Sequence, residues 1–295
     1  MSPGPRIVAL GGGHGLAVTL RAALPWAGSV TAVVSTADDG GSTGRLRESW
    51  DVPALGDVRR CLATLAEVAD PSGVWARVLE RRFDAGELSG HALGNLVLLA
   101  LLEEVGDLQS ACDEVARAAG ISRSRARVVP VTDDTVVLHG RTVEGIVVAG
   151  QVAVAQTPGV QEVWVDPECT AASLVAIEAI AEADLVLLGP GSLYTSVLAA
   201  AVVGDLRRAL ADTDARVAYL GNLRADGVEA HGYDLAAHVA ALGRHGIHPD
   251  LALVATGGLP LGELGLAVVE ADVARADRMA HDPDRLGAAL ATLVV

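Results

Sequence analysis

Aromatic side chains make up only 3% of the 295 residues, and a single Phe is among them. The core must therefore be aliphatic, and 51% of residues are hydrophobic, mostly Ala, Val and Leu. That palette suits a sheet covered by Ala/Leu-rich helices better than an aromatic-rich β-sandwich. Cysteine is scarce too: Cys61, Cys112 and Cys169 are far apart and odd in number. They suggest neither a disulfide framework nor a zinc site and are expected to be buried, inert thiols. Basic residues are outnumbered 22 to 37, for a net charge of −15. Nucleic acid would be repelled except at a local basic patch, and the arginines sit in small groups such as Arg81-Arg82. No apolar run approaches the roughly 18 residues that a membrane span needs. Leu96 to Leu102 is the purest, and Glu103-Glu104 stops it. Met1 to Arg6 leads straight into a strand without a signal-peptide segment, so a cytoplasmic location is the expectation. Gly-Lys-Ser/Thr is missing as well, which disfavours a Walker-type NTPase.

What is present centres on Val34 to Arg47. An apolar strand, Val30 to Val34, runs into Thr36, the carboxylates Asp38 and Asp39, two glycines, Ser42, Thr43, Gly44 and Arg45. Glycines let a backbone approach a ligand closely, hydroxyls bond phosphate or sugar oxygens, and an arginine grips a phosphate with two donors. Asp38 and Asp39 suit a divalent cation, a ligand hydroxyl or a protonated ring nitrogen. A solvated turn is the bland alternative.

The same design occurs twice more. Ile7 to Leu10 is a strand followed by Gly11-Gly12-Gly13-His14-Gly15 and a helix with Leu16, Leu20 and Leu24 on one face. Asp184 to Leu188 is a strand followed by Gly189-Pro190-Gly191-Ser192, then Thr195, at the start of a helix over Val197 to Val203. Strand, glycine loop and helix place backbone N–H groups around an anion, aided by the helix dipole, and a tight strand–helix turn without a ligand is the alternative for the first loop. Two such loops favour a ligand with two ends, such as a nucleotide diphosphate. Asp57 reads as the N-cap of a helix, with Arg59 or Arg60 either turned toward the ligand or exposed on the surface. Gly90-His91-Ala92-Leu93-Gly94-Asn95 enters an apolar helix oddly, since Gly94 and Asn95 both weaken a helix interior. His91 and Asn95 are ligand candidates on that ground, beside the alternative of satisfied core polar residues.

Strands over Val128 to Val131, Thr135 to His139, Arg141 to Glu144, Ile146 to Val154 and Glu162 to Val165 make a β-rich inset at about 127–166. Thr132-Asp133-Asp134 at its start reads as a polar turn. Regular α/β rhythm returns afterwards, with strands at Arg216 to Leu220, Leu251 to Val254 and Leu266 to Val269. Asn222 follows one of them, and His238 faces inward or into a cleft. No linker or repeat interrupts residues 1–295, so a single domain is expected. The Ala/Leu/Val-rich helices near the C-terminus fit a homodimer contact and ordinary core burial equally well.

Leu10 to Leu16, Val34 to Arg47, Gly56-Asp57-Val58-Arg59, Gly90 to Leu96 and Leu188 to Val197 together resemble the CofD/YvcK-like family. More narrowly they resemble its bacterial gluconeogenesis-factor branch, in an actinobacterial flavour. The resemblance implies a Rossmann-like α/β fold, doubly wound, with a mostly parallel sheet. That branch is similar to proteins that bind UDP-sugars, notably UDP-N-acetylglucosamine, and that influence gluconeogenic growth, cell-wall precursor supply and cell shape without established catalysis or an assured cofactor. The other branch, 2-phospho-L-lactate transferase, uses Mg²⁺ to move a phospholactyl group from a guanosine diphosphate-activated donor to a deazaflavin. There the acidic pair matching Asp38-Asp39 sits by acceptor and metal. The Gly90 and Gly189 blocks favour the first branch, and Thr132-Asp133-Asp134 looks closer to the second. The run Arg224 to Ala230 departs from the gluconeogenesis-factor pattern. Glu229 matches, but a threonine and a glycine are replaced, which bears on the sugar end of the ligand. The expectation is a nucleotide-sugar-binding regulator of a protein partner still to be identified. The alternatives are the Mg²⁺-dependent transferase and, ranked last, an NAD-type oxidoreductase, since no ribose-binding acid ends the second strand in the usual arrangement.

Overall fold

The computed structural model describes residues 4–224 and 227–294. Among the described residues ten strands form in chain order: β1 (Arg6–Gly11), β2 (Ser29–Val34), β3 (Ala126–Pro130), β4 (Val137–Thr142), β5 (Val147–Ala149), β6 (Val160–Asp166), β7 (Leu185–Leu188), β8 (Arg216–Leu220), β9 (Leu251–Ala255) and β10 (Ala267–Ala271). Seven of them make one sheet in the order β10-β9-β8-β7-β1-β2-β3. Every neighbouring pair in it is parallel. Such strands are buried on both faces, and this explains why β1, β2 and β7 read as continuous rather than alternating apolar runs.

The pleat of β1 divides the core. Ile7 and Ala9 join the aliphatic cluster with Leu16, Leu20 and Leu62, while Val8 and Leu10 join the opposite cluster with Tyr194, Val197 and Leu242. The chain builds from β1 outward through β2 and β3, then crosses back to β7 beside β1 and builds the other way. This reversal between β1 and β7 is a topological switch point. In open α/β sheets a ligand crevice lies there, outside the carboxyl ends of the strands.

Several local expectations need correction. The strand read at Val128 to Val131 belongs to the main sheet, where Ala126 to Pro130 pair with Val30 to Val34. The inset therefore holds only the antiparallel sheet β5-β4-β6. Thr135 to His139 and Arg141 to Glu144 are not two strands, because β4 runs through Gly140 as one. The strand read over Ile146 to Val154 stops at Ala149, and Gln151–Gln156 is helical. A short Val/Ala run carries no period that separates strand from helix. The polar stretch after Asp39 folds as a short helix, Gly41–Arg47, rather than a loop. The helix read at Val197 to Val203 begins earlier, as a π-helical turn over Leu193–Leu198 continued by Ala199–Ala201. A helix at Leu206–Asp212 was not anticipated. Cys61 and Cys112 are buried, but Cys169 is exposed. Among the described residues no helix is long and apolar enough to cross a membrane.

Candidate ligand-binding cleft

The end of β1 passes through Gly11 and Gly12 into the helix Gly13–Ala23, whose N-cap, Gly12, makes no side-chain capping bond. The end of β7 approaches it closely. The Gly189 amide donates to the Leu10 carbonyl at 3.0 Å, and the Thr19 hydroxyl donates to the Gly189 carbonyl at 3.1 Å. A Cβ on Gly15 would lie 1.9 Å from the Pro190 carbonyl oxygen, so only glycine lets the two loops meet. Asn222, beyond β8, locks the second loop from its other side. Its Oδ1 accepts from the Gly191 amide at 3.1 Å and its Nδ2 donates to the Gly191 carbonyl at 3.0 Å. Gly11, Gly12, Gly13, Gly15, Gly189, Gly191 and Asn222 are thereby one structural unit at the switch point.

Three cavities open around it. One of about 260 Å³ is lined by His14, Gly15, Gly191, Ser192, Asn222 and His281. A second, of about 620 Å³, shares His14 and adds Arg21, Arg60, Arg77 and Arg275. A third, of about 340 Å³, shares Arg60 and is lined by Gly13, Asp38, Ser42, Thr43, Asp57 and Asn95, among others. His14 and Arg60 are the joints between them. Positive charge of the Arg60 guanidinium, followed by burial, lowers the His14 pKa. His14 is thus a neutral hydrogen-bonding group at pH 7. All 22 basic side chains of the chain are arginine. The permanent cations lining these cavities are therefore planar, multidentate guanidinium groups, and the chain has no lysine to act as nucleophile or phosphate hook.

The acidic pair is split. Asp38 lines the third cavity, and its Oδ1 accepts from the Gly40 amide at 3.0 Å. Asp39 turns the other way, and its Oδ1 accepts from the Val152 amide at 2.9 Å, at the start of the helix Gln151–Gln156. The partner that faces Asp38 is Asp57, which is not the N-cap, a place that Leu55 holds. Asp57 is 8% exposed and accepts from Arg60 Nη1 at 3.0 Å and from the Gly13 amide. Burial, followed by the nearby Asp38 charge, raises its carboxyl pKa. The Asp38 and Asp57 carboxylates, with the Thr43 hydroxyl in the same cavity, form a hard-oxygen set that fits Mg²⁺, an ion usually held by one or two carboxylates plus ligand phosphates. Asp38 and Asp57 would hold it, rather than Asp38 and Asp39. No cluster of three His, Cys, Asp or Glu suited to a metal occurs among the described residues.

Around this floor Asn95 is 2% exposed and donates from Nδ2 to Ser42 Oγ at 3.2 Å, while its Oδ1 has no partner. Ser42 Oγ also accepts from the Ala92 amide at 3.3 Å and lies 3.2 Å from His91 Nδ1. Both lone pairs of the hydroxyl are thus engaged, leaving its proton for His91. Burial, followed by Arg45 and Arg82, lowers the His91 pKa. Gly94 is where Arg59 threads past: a Cβ there would lie 2.7 Å from Arg59 Cγ. Arg59 itself is 2% exposed and pairs with Glu80 at 2.5 Å. Arg45, in contrast, is exposed, donates to the Ser89 carbonyl at 2.9 Å and does not line the third cavity. Thr36 is buried with an unpartnered hydroxyl. Thr195 is buried behind the second loop, its carbonyl accepting from Gln151 at 3.2 Å.

Other polar residues singled out in the sequence lie elsewhere. Asp133 accepts from the Leu108 and Gln109 amides at 3.0 and 3.2 Å, anchoring the helix Leu108–Ala118. His238 is buried, with Nδ1 2.6 Å from the Tyr219 hydroxyl. In the departing run Arg224 to Ala230, Ala225 and Asp226 lie outside the described residues, as do Met1, Ser2 and Pro3. Sequence reasoning missed Asp57 as the companion of Asp38. It also missed Arg47, which donates to the Asp38 carbonyl at 3.2 Å and the Val136 carbonyl at 2.7 Å. Both partnerships arise from contacts between elements that no local pattern encodes.

The family model described as 2-phospho-L-lactate transferase CofD matches residues 7–289. This chain belongs to the CofD family. It is 40% identical over 307 residues to a putative gluconeogenesis factor of Mycobacterium tuberculosis, covering 96% of this chain and 89% of that one. The gluconeogenesis factor of Bacillus subtilis is 36% identical over 247 residues, covering 83% and 76% of the two chains. Among solved structures, that of a UPF0052 family member from Bacillus halodurans superposes with a TM-score of 0.86 at 29% identity, over 97% of this chain and 98% of that one. The Rossmann-like α/β architecture is thus common to this CofD-family chain and a relative solved by crystallography.

Proposed function

We propose that the protein binds a nucleoside-diphosphate sugar of the UDP-N-acetylglucosamine type and acts without catalysis, as a regulator of gluconeogenic growth, cell-wall precursor supply and cell shape. The observation that carries the binding half is the glycine-walled switch point joined to three cavities through His14 and Arg60. The diphosphate sits against Gly11 to Gly15, with Gly191 and Ser192 opposite, and Asn222 lies toward the base or sugar. Backbone donors at the start of the helix Gly13–Ala23 and the Arg60 guanidinium balance its charge despite the acidic surface. The non-catalytic half is supported by the state of Ser42. A hydroxyl whose two lone pairs accept from Ala92 and Asn95 has none to present to an electrophile, although His91 stands beside it. The names of the relatives, a putative gluconeogenesis factor in Mycobacterium tuberculosis and a gluconeogenesis factor in Bacillus subtilis, support the gluconeogenic part of this reading. Gly13 lines the third cavity at a φ of 63°, so Gly13→Trp should fill that cavity, strain the first loop and weaken UDP-sugar binding at least about a hundredfold. Unchanged affinity in that variant would remove the ligand from this cleft.

A second reading is favoured by Asp38 facing Asp57 and by the family description. These carboxylates would hold Mg²⁺, which would supply charge stabilisation. The acceptor hydroxyl oxygen would bond to the phosphorus of the phospho-acyl group as the donor's P–O–P bond breaks. Guanosine monophosphate would leave, the hydroxyl proton would pass to water, and Arg60 would balance charge on the transferred phosphate. A mass increase of a deazaflavin acceptor incubated with donor and Mg²⁺ would establish it. Absence of product from protein that binds the donor would count against it.

A further inference from the structure

Glu229 is 3% exposed, and the groups holding its carboxyl are hydrogen bonds from Tyr194 and Thr195 rather than a cation. Its Oε1 accepts from the Tyr194 amide at 3.3 Å, while its Oε2 has no partner. Tyr194 and Thr195 are first-turn residues of the π-helical segment Leu193–Leu198, which opens directly from the second glycine loop. Amides in that position are the ones an incoming phosphate would seek. Here a carboxylate of the protein itself takes them, and the Gly191 amide is likewise taken by Asn222. The other end of Tyr194 is fixed as well: its hydroxyl lies 3.2 Å from that of Tyr233 and accepts from Arg244 at 3.1 Å. Glu229 and Tyr233 both belong to the segment between β8 and the helix Leu235–Arg244, so that segment grips Tyr194 at backbone and ring tip together.

We infer that Glu229 is a positioning residue, an internal hydrogen-bond acceptor that holds the Leu193–Leu198 turn so that Gly191 and Ser192 face the ligand. The inference rests on the nucleotide-sugar reading for its effect on ligand, but not for the clamp itself. What the clamp requires is an acceptor oxygen at the full reach of the side chain. Gln supplies that reach without charge. Asp keeps the charge but withdraws it by one methylene.

The test measures UDP-N-acetylglucosamine affinity by calorimetry for wild type, Glu229→Gln, Glu229→Asp and Glu229→Ala, beside amide hydrogen exchange of residues 193–198 in the unliganded proteins. Glu229→Gln should bind within about threefold of wild type, and Glu229→Asp and Glu229→Ala at least about tenfold more weakly. Exchange at Tyr194 and Thr195 should accelerate in the Asp and Ala variants and not in Gln. A role in bulk stability alone would make affinity follow the thermal midpoint instead of the Gln-over-Asp order. Wild-type affinity together with unchanged exchange in Glu229→Asp would overturn the inference. Absence of UDP-sugar binding by wild type would instead sink the nucleotide-sugar reading, and the exchange data would still decide the clamp.

Discussion

Asp38 and Asp39 are adjacent in the chain and serve different masters. Asp38 opens into the cavity with Ser42, Thr43 and Asp57, whereas Asp39 anchors the helix Gln151–Gln156 through the Val152 amide. Their substitutions should therefore separate. Asp38→Asn is expected to weaken UDP-sugar binding by about tenfold, the worth of one charge-assisted hydrogen bond. Asp39→Ala should leave affinity within about twofold and cost about 1 kcal/mol of stability, the ordinary cost of losing a helix-start acceptor. Paired calorimetry and urea unfolding distinguish the two outcomes, and equal loss of affinity in both variants would restore the adjacent pair as the site. The same scale explains Gly94, whose oddity inside a helix comes from the passage of the buried Arg59 side chain.

Among the elements, Asp133 shows how a polar pair in the sequence becomes scaffold. It accepts two amides at the start of the helix Leu108–Ala118, while Asp107 caps the same helix by accepting from Ser110 at 2.7 Å. Asp133→Ala is expected to cost about 1 kcal/mol in chemical unfolding with no change in ligand affinity. Legibility followed the same line. The strands β1, β2 and β7 and the loops after them could be read because a fully buried parallel strand and a glycine turn each leave a local signature. The helix Gln151–Gln156 could not, because Val and Ala residues there suit either state until Asp39 supplies its anchoring bond from 113 residues away. The Asp38–Asp57 and Tyr194–Glu229 contacts were equally hidden: each depends on where β2 or β8 delivers its following segment, which is a property of strand order. The main-sheet membership of β3 was missed for that reason too.

For the whole molecule, one sheet order sets both the cleft and the pH response. Burial lowers the imidazole pKa of His238 and of His281 to about 4, opposed in part by Asp234 and by a hydrogen bond to Gly221 respectively. A folded pKa below the unfolded value near 6.5 means that these histidines favour folding above about pH 6.5 and lose that contribution as pH falls toward 4. Between pH 7.5 and 5 each should contribute a loss of about 2 kcal/mol. Urea unfolding across that range checks the sign, and His238→Gln should flatten part of the slope. Asp57 and Glu229 have raised pKa values and work in the opposite sense, favouring the folded state at low pH and less so as pH rises through their folded values.

What the switch-point cleft holds separates a regulator from a transferase. The most direct measurement is calorimetric titration of the intact protein with UDP-N-acetylglucosamine, UDP-glucose, GDP and NAD, each with Mg²⁺ and with chelator. A regulator predicts selective UDP-sugar binding of one molecule per chain that survives the chelator. Binding of GDP alone, and only with Mg²⁺, would contradict it and hand the cleft to phospho-acyl transfer.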